Sequence, residues 1–148
     1  MELVIFIGVQ ATGKSTFYKQ KLYNSHIRVN LDMLKTRHRE EIITNACIEA
    51  KQPFVVDNTN PTIVDRERYI EPCKLKGFRI VGYYFQSSIN EALERNSKRT
   101  GKEFINEVGI RSTFSKLQLP NYSEGFDELY YVRLGKDKSF IVEEWKDE

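Results

Sequence analysis

The sequence predicts an α/β domain: a parallel sheet of about five strands, covered by helices on both faces, with a helical lid. Three observations lead there. Short apolar or β-branched runs at 3–7, 27–30, 54–56, 79–85 and 129–134 alternate with longer stretches of helical character, the pattern of parallel strands joined by crossover helices. The first run feeds straight into Gly8-Val9-Gln10-Ala11-Thr12-Gly13-Lys14-Ser15-Thr16, a phosphate-binding loop between a strand and a helix. The polar residues able to do chemistry fall at the carboxyl ends of the predicted strands or in a late helix and loop, along one rim of such a sheet.

In chain order, a first strand over 3–7 precedes a helix over 14–23, and Asn24-Ser25 ends that helical pattern. A short strand over 27–30 leads to Asp32, and a mixed-polarity helix follows over 34–50, carrying Lys35, Arg37, His38 and Arg39 near its start. Pro53 introduces the apolar strand 54–56, which ends in Asp57, and Asn58-Thr59-Asn60-Pro61 is loop chemistry. Thr62 with Asp65 is a helix start, and Gly77 is the stop of that helix. Strand 79–85 follows, then Ser88 with Glu91 opens a helix running to Lys98. The segment 95–102 is basic and turns at Gly101. A further helix covers 106–117, a loop is punctuated by Pro120 and Gly125, and strand 129–134 is the last clear one; 140–145 reads as an edge strand or a tail.

The chain has 148 residues, 40% hydrophobic and 30% charged, with formal net charge +2. That is enough for one core, so a single α/β phosphate-loop domain over 1–148 is expected, which the resemblance described below makes a kinase domain. The charge balance is too small to announce a nucleic-acid surface by itself. Cys47 and Cys73 have no metal-ligand spacing and are expected to be reduced structural thiols. No run has the length of a membrane span, and the N-terminus enters the first strand without a leader pattern, so a cytoplasmic protein is expected.

The loop's spacing follows from its chemistry. Gly8 and Gly13 allow close turns, so that backbone N–H groups from Val9 to Thr16 can wrap a polyphosphate. Lys14 adds a point charge for the outer phosphates, and the Ser15 hydroxyl is a hard oxygen ligand for Mg2+. Nucleotide binding is the expectation; ATP and GTP are not separated by this motif. Asp57, at a strand end, is a second Mg2+ acid or a cap of its own loop. Asp32 is a general base for an alcohol or the N-cap of the following helix; the residues alone leave both open. Arg95, Lys98, Arg99 and Lys102 form either a lid that closes on the phosphates or a solvated helix face, and the absence of acids between Arg95 and Lys102 favours the lid. His26 and His38 are read as surface residues. Tyr83, Tyr84, Tyr130 and Tyr131 lie in strand-like runs and are read as core packing.

With these residues in place, the chain resembles the kinase domain of the 5′-polynucleotide kinases, both the phage and the animal repair enzymes. The segments that carry the resemblance are Gly8–Thr16, Asn30-Leu31-Asp32, Val56-Asp57-Asn58-Thr59-Asn60-Pro61, Arg95-Asn96-Ser97-Lys98-Arg99, and Leu119-Pro120 with Ser123-Glu124-Gly125-Phe126. The resemblance implies that Lys14 and Ser15 hold ATP and Mg2+, that Asp57 is the acid near the metal, and that Asp32 is the general base. It further implies that Arg99, assisted by Arg95, is the lid arginine on the donor phosphates. The acceptor it implies is a DNA or RNA 5′-hydroxyl end. Lys35 stands where the phage enzyme has an acceptor-binding arginine, and keeps the charge without the bidentate fork. The repair enzymes also carry a phosphatase domain, and 3′-end processing is expected to need a separate protein. The residues also suit a kinase of a small alcohol such as a nucleoside, nucleotide or sugar, or, with less support, a nucleotide switch without an acceptor.

Overall fold

The apolar runs at the middle of the sheet become strands because helices cover them on both sides. The computed structural model describes residues 1–86, 89–101, 105–137 and 139–146. Five strands, β1 (Glu2–Ile7), β2 (Ile27–Val29), β3 (Phe54–Val56), β4 (Arg79–Phe85) and β5 (Glu128–Leu134), run parallel, and β6 (Phe140–Glu144) adds antiparallel to β5. The sheet order is β2-β3-β1-β4-β5-β6. The chain leaves the central β1 toward β2 and β3 and returns on the other side to β4 and β5. Ligands of open α/β sheets bind in the crevice at such a reversal.

Alternation along β1 divides the core into two layers. Leu3, Ile5 and Ile7 face α3 (Arg37–Ala50) and α4 (Ile63–Leu75), packing with Cys47, Tyr69, Ile70 and Cys73. Val4 and Phe6 face α1 (Lys14–Lys21), packing with Phe17, Tyr18 and Val55. The two cysteines are buried and unbridged, and burial pushes the Cys73 thiol up to about 12. α4 starts as its sequence predicts, with Thr62 and Asp65 forming a reciprocal capping box. Its Pro72 lies within the helix.

Three features differ from the sequence-based expectation. The helix expected over 34–50 is two helices, α2 (Leu31–Leu34) and α3. Lys35 closes α2 at φ 75°, and the Thr36 side chain accepts from Arg39 N to cap α3. Residues 140–144 are a paired edge strand and not a tail, which gives the sheet six strands instead of about five. The aromatic Tyr83 is only half-buried and stacks on Tyr130 at 5.3 Å. Ser88 and Lys102 lie outside the described residues. Among the described residues, no helix is long and apolar enough to cross a membrane.

Candidate active site

The phosphate loop is built as its glycines require. Gly8 (φ 153°) is close enough to β4 that a Cβ would stand 2.9 Å from the Phe85 carbonyl oxygen. Gly13 (φ 92°) precedes α1 in the left-handed region, and a Cβ there would press on the Phe140 ring at 3.1 Å. Ala11 also has positive φ, 65°, a strained conformation for a residue with a Cβ. Lys14 is buried, and its Nζ donates to the carbonyl oxygens of Gly8 (3.0 Å) and Val9 (2.6 Å) and to the Thr12 hydroxyl (3.4 Å). Burial lowers its pKa from 10.5 to about 8; Asp57 and Asp32 act the other way, and Arg99 lowers it further. Val9, Gln10 and Thr12 tie the loop to its surroundings: Val9 packs on Ala92 and Ile110, Gln10 donates to Thr113 Oγ1 at 3.1 Å, and Thr12 donates to Val9 O at 3.0 Å. Thr16 is exposed in the first turn of α1.

Ser15 and Asp57 meet beside this loop because β3 lies next to β1 in parallel register. Ser15 Oγ donates to Asp57 Oδ2 at 3.0 Å. Two cis ligands of an ideal Mg2+ octahedron with bonds of about 2.1 Å stand about 3.0 Å apart, so these two hard oxygens fit the ion, whose remaining ligands are ordinarily waters and phosphate oxygens. Arg28, from β2, completes a triangle: its Nε donates to Asp57 Oδ2 at 2.8 Å and its Nη2 to Ser15 Oγ at 2.9 Å. Asp57 is therefore engaged by side chains from two other elements, not by its own loop as a cap.

Asp32 is in the first turn of α2, and the N-cap of that helix is Asn30, whose Oδ1 accepts from Met33 N at 3.0 Å. The capping role left open for Asp32 belongs to Asn30. Asn30 Nδ2 also donates to the Asp57 carbonyl oxygen at 2.6 Å, and Asn58 Oδ1 accepts from Leu31 N at 2.8 Å. These bonds fix the start of α2 against the end of β3. Behind them, Asn58 Nδ2 donates to the buried Glu40 at 3.0 Å, and Glu40 Oε1 accepts from Tyr69 OH (2.6 Å) and Arg37 Nη1 (2.9 Å). Burial pushes the Tyr69 hydroxyl up to about 12, with the Glu40 carboxylate adding to the rise. Two further bonds hold the loop: Gly8 N donates to Thr59 O at 3.0 Å, and Asn60 Nδ2 donates to Phe6 O at 2.8 Å.

Lys14, Ser15, Asp32, Asp57 and Arg99 all line one cavity of about 410 Å3, together with Arg37 and Asn58. Lys35 does not line it; that side chain is exposed beyond the end of α2. Two helices, α5 (Ile89–Ser97) and α6 (Glu107–Lys116), pack against the phosphate loop, their Ala92 and Ile110 resting on Val9. Asn96 is buried and binds both the N–H and the carbonyl of Ile105, so Ile105 is pinned against α5. Arg95 reaches Ala11 O at 3.5 Å, while Lys98 is exposed beside Glu94. Of the basic run, the described structure thus turns Arg95 and Arg99 inward and leaves Lys98 on the solvated face. Arg28, Asn30, Arg37, Glu40 and Asn58 were not read as site residues in the sequence. The available signal for Asn30 and Asn58 is an asparagine one residue after β2 and another two residues after β3.

No protein-family model matches the chain. Over 138 residues it is 33% identical to a bifunctional polynucleotide phosphatase/kinase of Schizosaccharomyces pombe, a match covering 88% of this chain and 33% of that protein. The chain spans about a third of the length of the curated relatives it matches first. Among solved structures, Kti12 of Chaetomium thermophilum in complex with ADP-AlF3 superposes with a TM-score of 0.66 at 14% identity, over 88% of each chain. A gluconokinase from Sinorhizobium meliloti gives a TM-score of 0.62 at 18% identity, over 89% of this chain and 82% of that one. At such identities the likeness is one of fold.

Proposed function

We propose that this chain, a relative of the polynucleotide kinases, transfers the γ-phosphate of ATP to the 5′-hydroxyl end of a DNA or RNA strand. The observation that carries this reading is the shared cavity: Asp32 faces the same space as Lys14, Ser15, Asp57 and Arg99. A nucleotide switch has no use for a carboxylate that neither caps its helix nor belongs to the Ser15–Asp57 pair. A kinase needs one beside the acceptor oxygen.

In this reading the loop amides from Val9 to Thr16 and the α1 N-terminus cradle the donor phosphates. Lys14 leaves its carbonyl partners for the phosphate oxygens, and Arg99 with Arg95 approaches from the lid. Ser15 and Asp57 are the residues that would hold Mg2+, whose contribution is neutralisation of phosphate charge. Asp32 accepts the proton of the 5′-hydroxyl as the new oxygen–phosphorus bond forms. The bond from the γ-phosphorus to the β–γ bridging oxygen breaks, and ADP leaves with that electron pair. Lys35, exposed at the end of α2, would meet the acceptor strand outside the cavity as a point charge.

The test uses γ-labelled ATP with Mg2+ and three acceptor conditions: a 5′-hydroxyl oligonucleotide, a nucleoside or sugar alcohol, and none. Label is expected on the oligonucleotide. Asp32→Asn is expected to lower that transfer about 100-fold or more while ADP binding stays within about twofold. Label on the small alcohol alone would overturn the polynucleotide assignment. A parallel loss of ADP binding in Asp32→Asn would return Asp32 to a structural role.

A further inference from the structure

The Ser15–Asp57 pair is spanned by a cation of the protein itself. Arg28 Nε and Nη2 lie 2.8 Å from Asp57 Oδ2 and 2.9 Å from Ser15 Oγ, the same two oxygens that stand 3.0 Å apart and fit a divalent ion. The position of Arg28 follows from the sheet. It pairs with Val55 in the β2–β3 register, so it projects to the α1 side of the sheet, where Val55 packs with Phe17, Tyr18 and Leu22. Its guanidinium sits 6.0 Å from the centroid of the Tyr18 ring, and Tyr18 OH donates to the His26 carbonyl at 2.8 Å, which fixes that ring. The Asp57 side chain is 2% exposed, whereas that of Arg28 is 26% exposed. A carboxylate so buried needs a paired positive charge, and Arg28 supplies it from a position open to solvent.

A guanidinium and a divalent ion cannot both occupy the space against these two oxygens. We propose that Arg28 is the resident cation of the divalent site: it bridges and orients Asp57 and Ser15 in the nucleotide-free chain, and it withdraws over Tyr18 toward solvent when a divalent ion binds. The free chain then competes against the ion with its own arginine, and the ion is taken up chiefly as its polyphosphate complex. The proposal rests on the phosphate-loop part of the functional reading and not on the acceptor.

Mn2+ binding to the protein without nucleotide, followed by electron paramagnetic resonance of the free ion, tests this directly. Arg28→Gln is expected to bind Mn2+ about tenfold more tightly than the wild type, because one competing positive charge has gone. Adding Asp57→Asn to that variant is expected to abolish the gain. With saturating ADP the difference between wild type and Arg28→Gln is expected to shrink to within about threefold, since the phosphates then help displace Arg28. Circular dichroism reports whether the variants fold. Arg28→Lys, which keeps a charge but loses the two-pronged contact, is expected to show an intermediate gain of about threefold. Mn2+ affinity unchanged or weakened in Arg28→Gln, or in Arg28→Lys should the first not fold, would overturn the proposal. No acceptor takes part in these measurements, so failure of oligonucleotide labelling would leave their outcome unaffected.

Discussion

Lys14 offers a pH test of the phosphate loop that can be worked from its burial. Its pKa is lowered from 10.5 to about 8, desolvation being the largest cause. The folded value lies below the unfolded one, so the unfolded chain binds more protons between those limits, and stability rises with pH through that window. Below pH 8 the folded chain holds a charged ammonium in a dry loop, at a cost of about 3 kcal/mol from about 1.4 kcal/mol per unit. A polyphosphate reverses the preference, because its oxygens demand the charged form. The charged fraction falls from about nine-tenths at pH 7 to about one-tenth at pH 9, so ADP affinity is expected to drop about tenfold over that range. At pH 8, binding is expected to take up about half a proton. Calorimetric titration with ADP in two buffers of different ionisation heat, without divalent ion, measures that uptake. Lys14→Met is expected to abolish the uptake. Its stability relative to the wild type is expected to decline by about 1.4 kcal/mol between pH 7 and pH 9, as the wild-type lysine sheds its proton. An ADP affinity flat across pH 7–9 with no proton uptake would refute the reasoning, since Lys14 would then keep its charge regardless of burial.

Two further substitutions test what holds the site in place. Arg66 is fully buried, with Nε and Nη2 on the Glu124 carboxylate at 2.8 and 3.1 Å and Nη1 on Asn60 O at 3.0 Å. Arg66→Ala strands a buried carboxylate and is expected to cost about 3–5 kcal/mol in denaturant unfolding; a loss under about 1 kcal/mol would mean that Glu124 reaches water. Gly82 in β4 has room for no side chain, because a Cβ would stand 2.6 Å from Leu129 Cδ2 and 2.7 Å from Phe126 Cε1. Gly82→Ala is expected to lower stability by about 1–3 kcal/mol in thermal melts, and an unchanged melting temperature would show that Phe126 can move aside.

The parts of the fold legible in the sequence are those whose signals are local. The phosphate loop, the Thr62–Asp65 capping box and Asp57 at a strand end each need only a few consecutive residues. The break between α2 and α3 was also local in principle, since Thr36 is a capping residue, but no glycine or proline marks it. Lys35 takes a positive φ of 75°, a conformation that its residue type does not announce. The antiparallel pairing of β6 depends on Phe140 and Trp145 finding Phe17 and Tyr131, at 5.3 and 4.1 Å between ring centroids. No period within five residues encodes partners so far away in the chain.

The same distinction governs the site. Asp32 and Asp57 could each be assigned a role and a competing one from their neighbours in sequence, because aspartate after a strand suits both a cap and a ligand. What separates the roles is which other residue takes the capping bond. Asn30 accepts from Met33 N and so releases Asp32; Arg28 and Ser15, from two other elements, engage Asp57. Asn30 Nδ2 on the Asp57 carbonyl and Asn58 Oδ1 on Leu31 N then tie these two places together from both sides. A short α2 has little stability of its own, so its position depends on those bonds. Glu40 and Tyr69 orient Asn58 from α3 and α4, and the placement of Asp32 relative to the phosphate loop is consequently a property of four elements acting together. The spacing of residues 57–61 in the chain reflects that arrangement: Asp57, Asn58, Thr59 and Asn60 each contact a different neighbour, namely Ser15, Leu31, Gly8 and Phe6. A substitution at any one of them disturbs a different side of the same cavity.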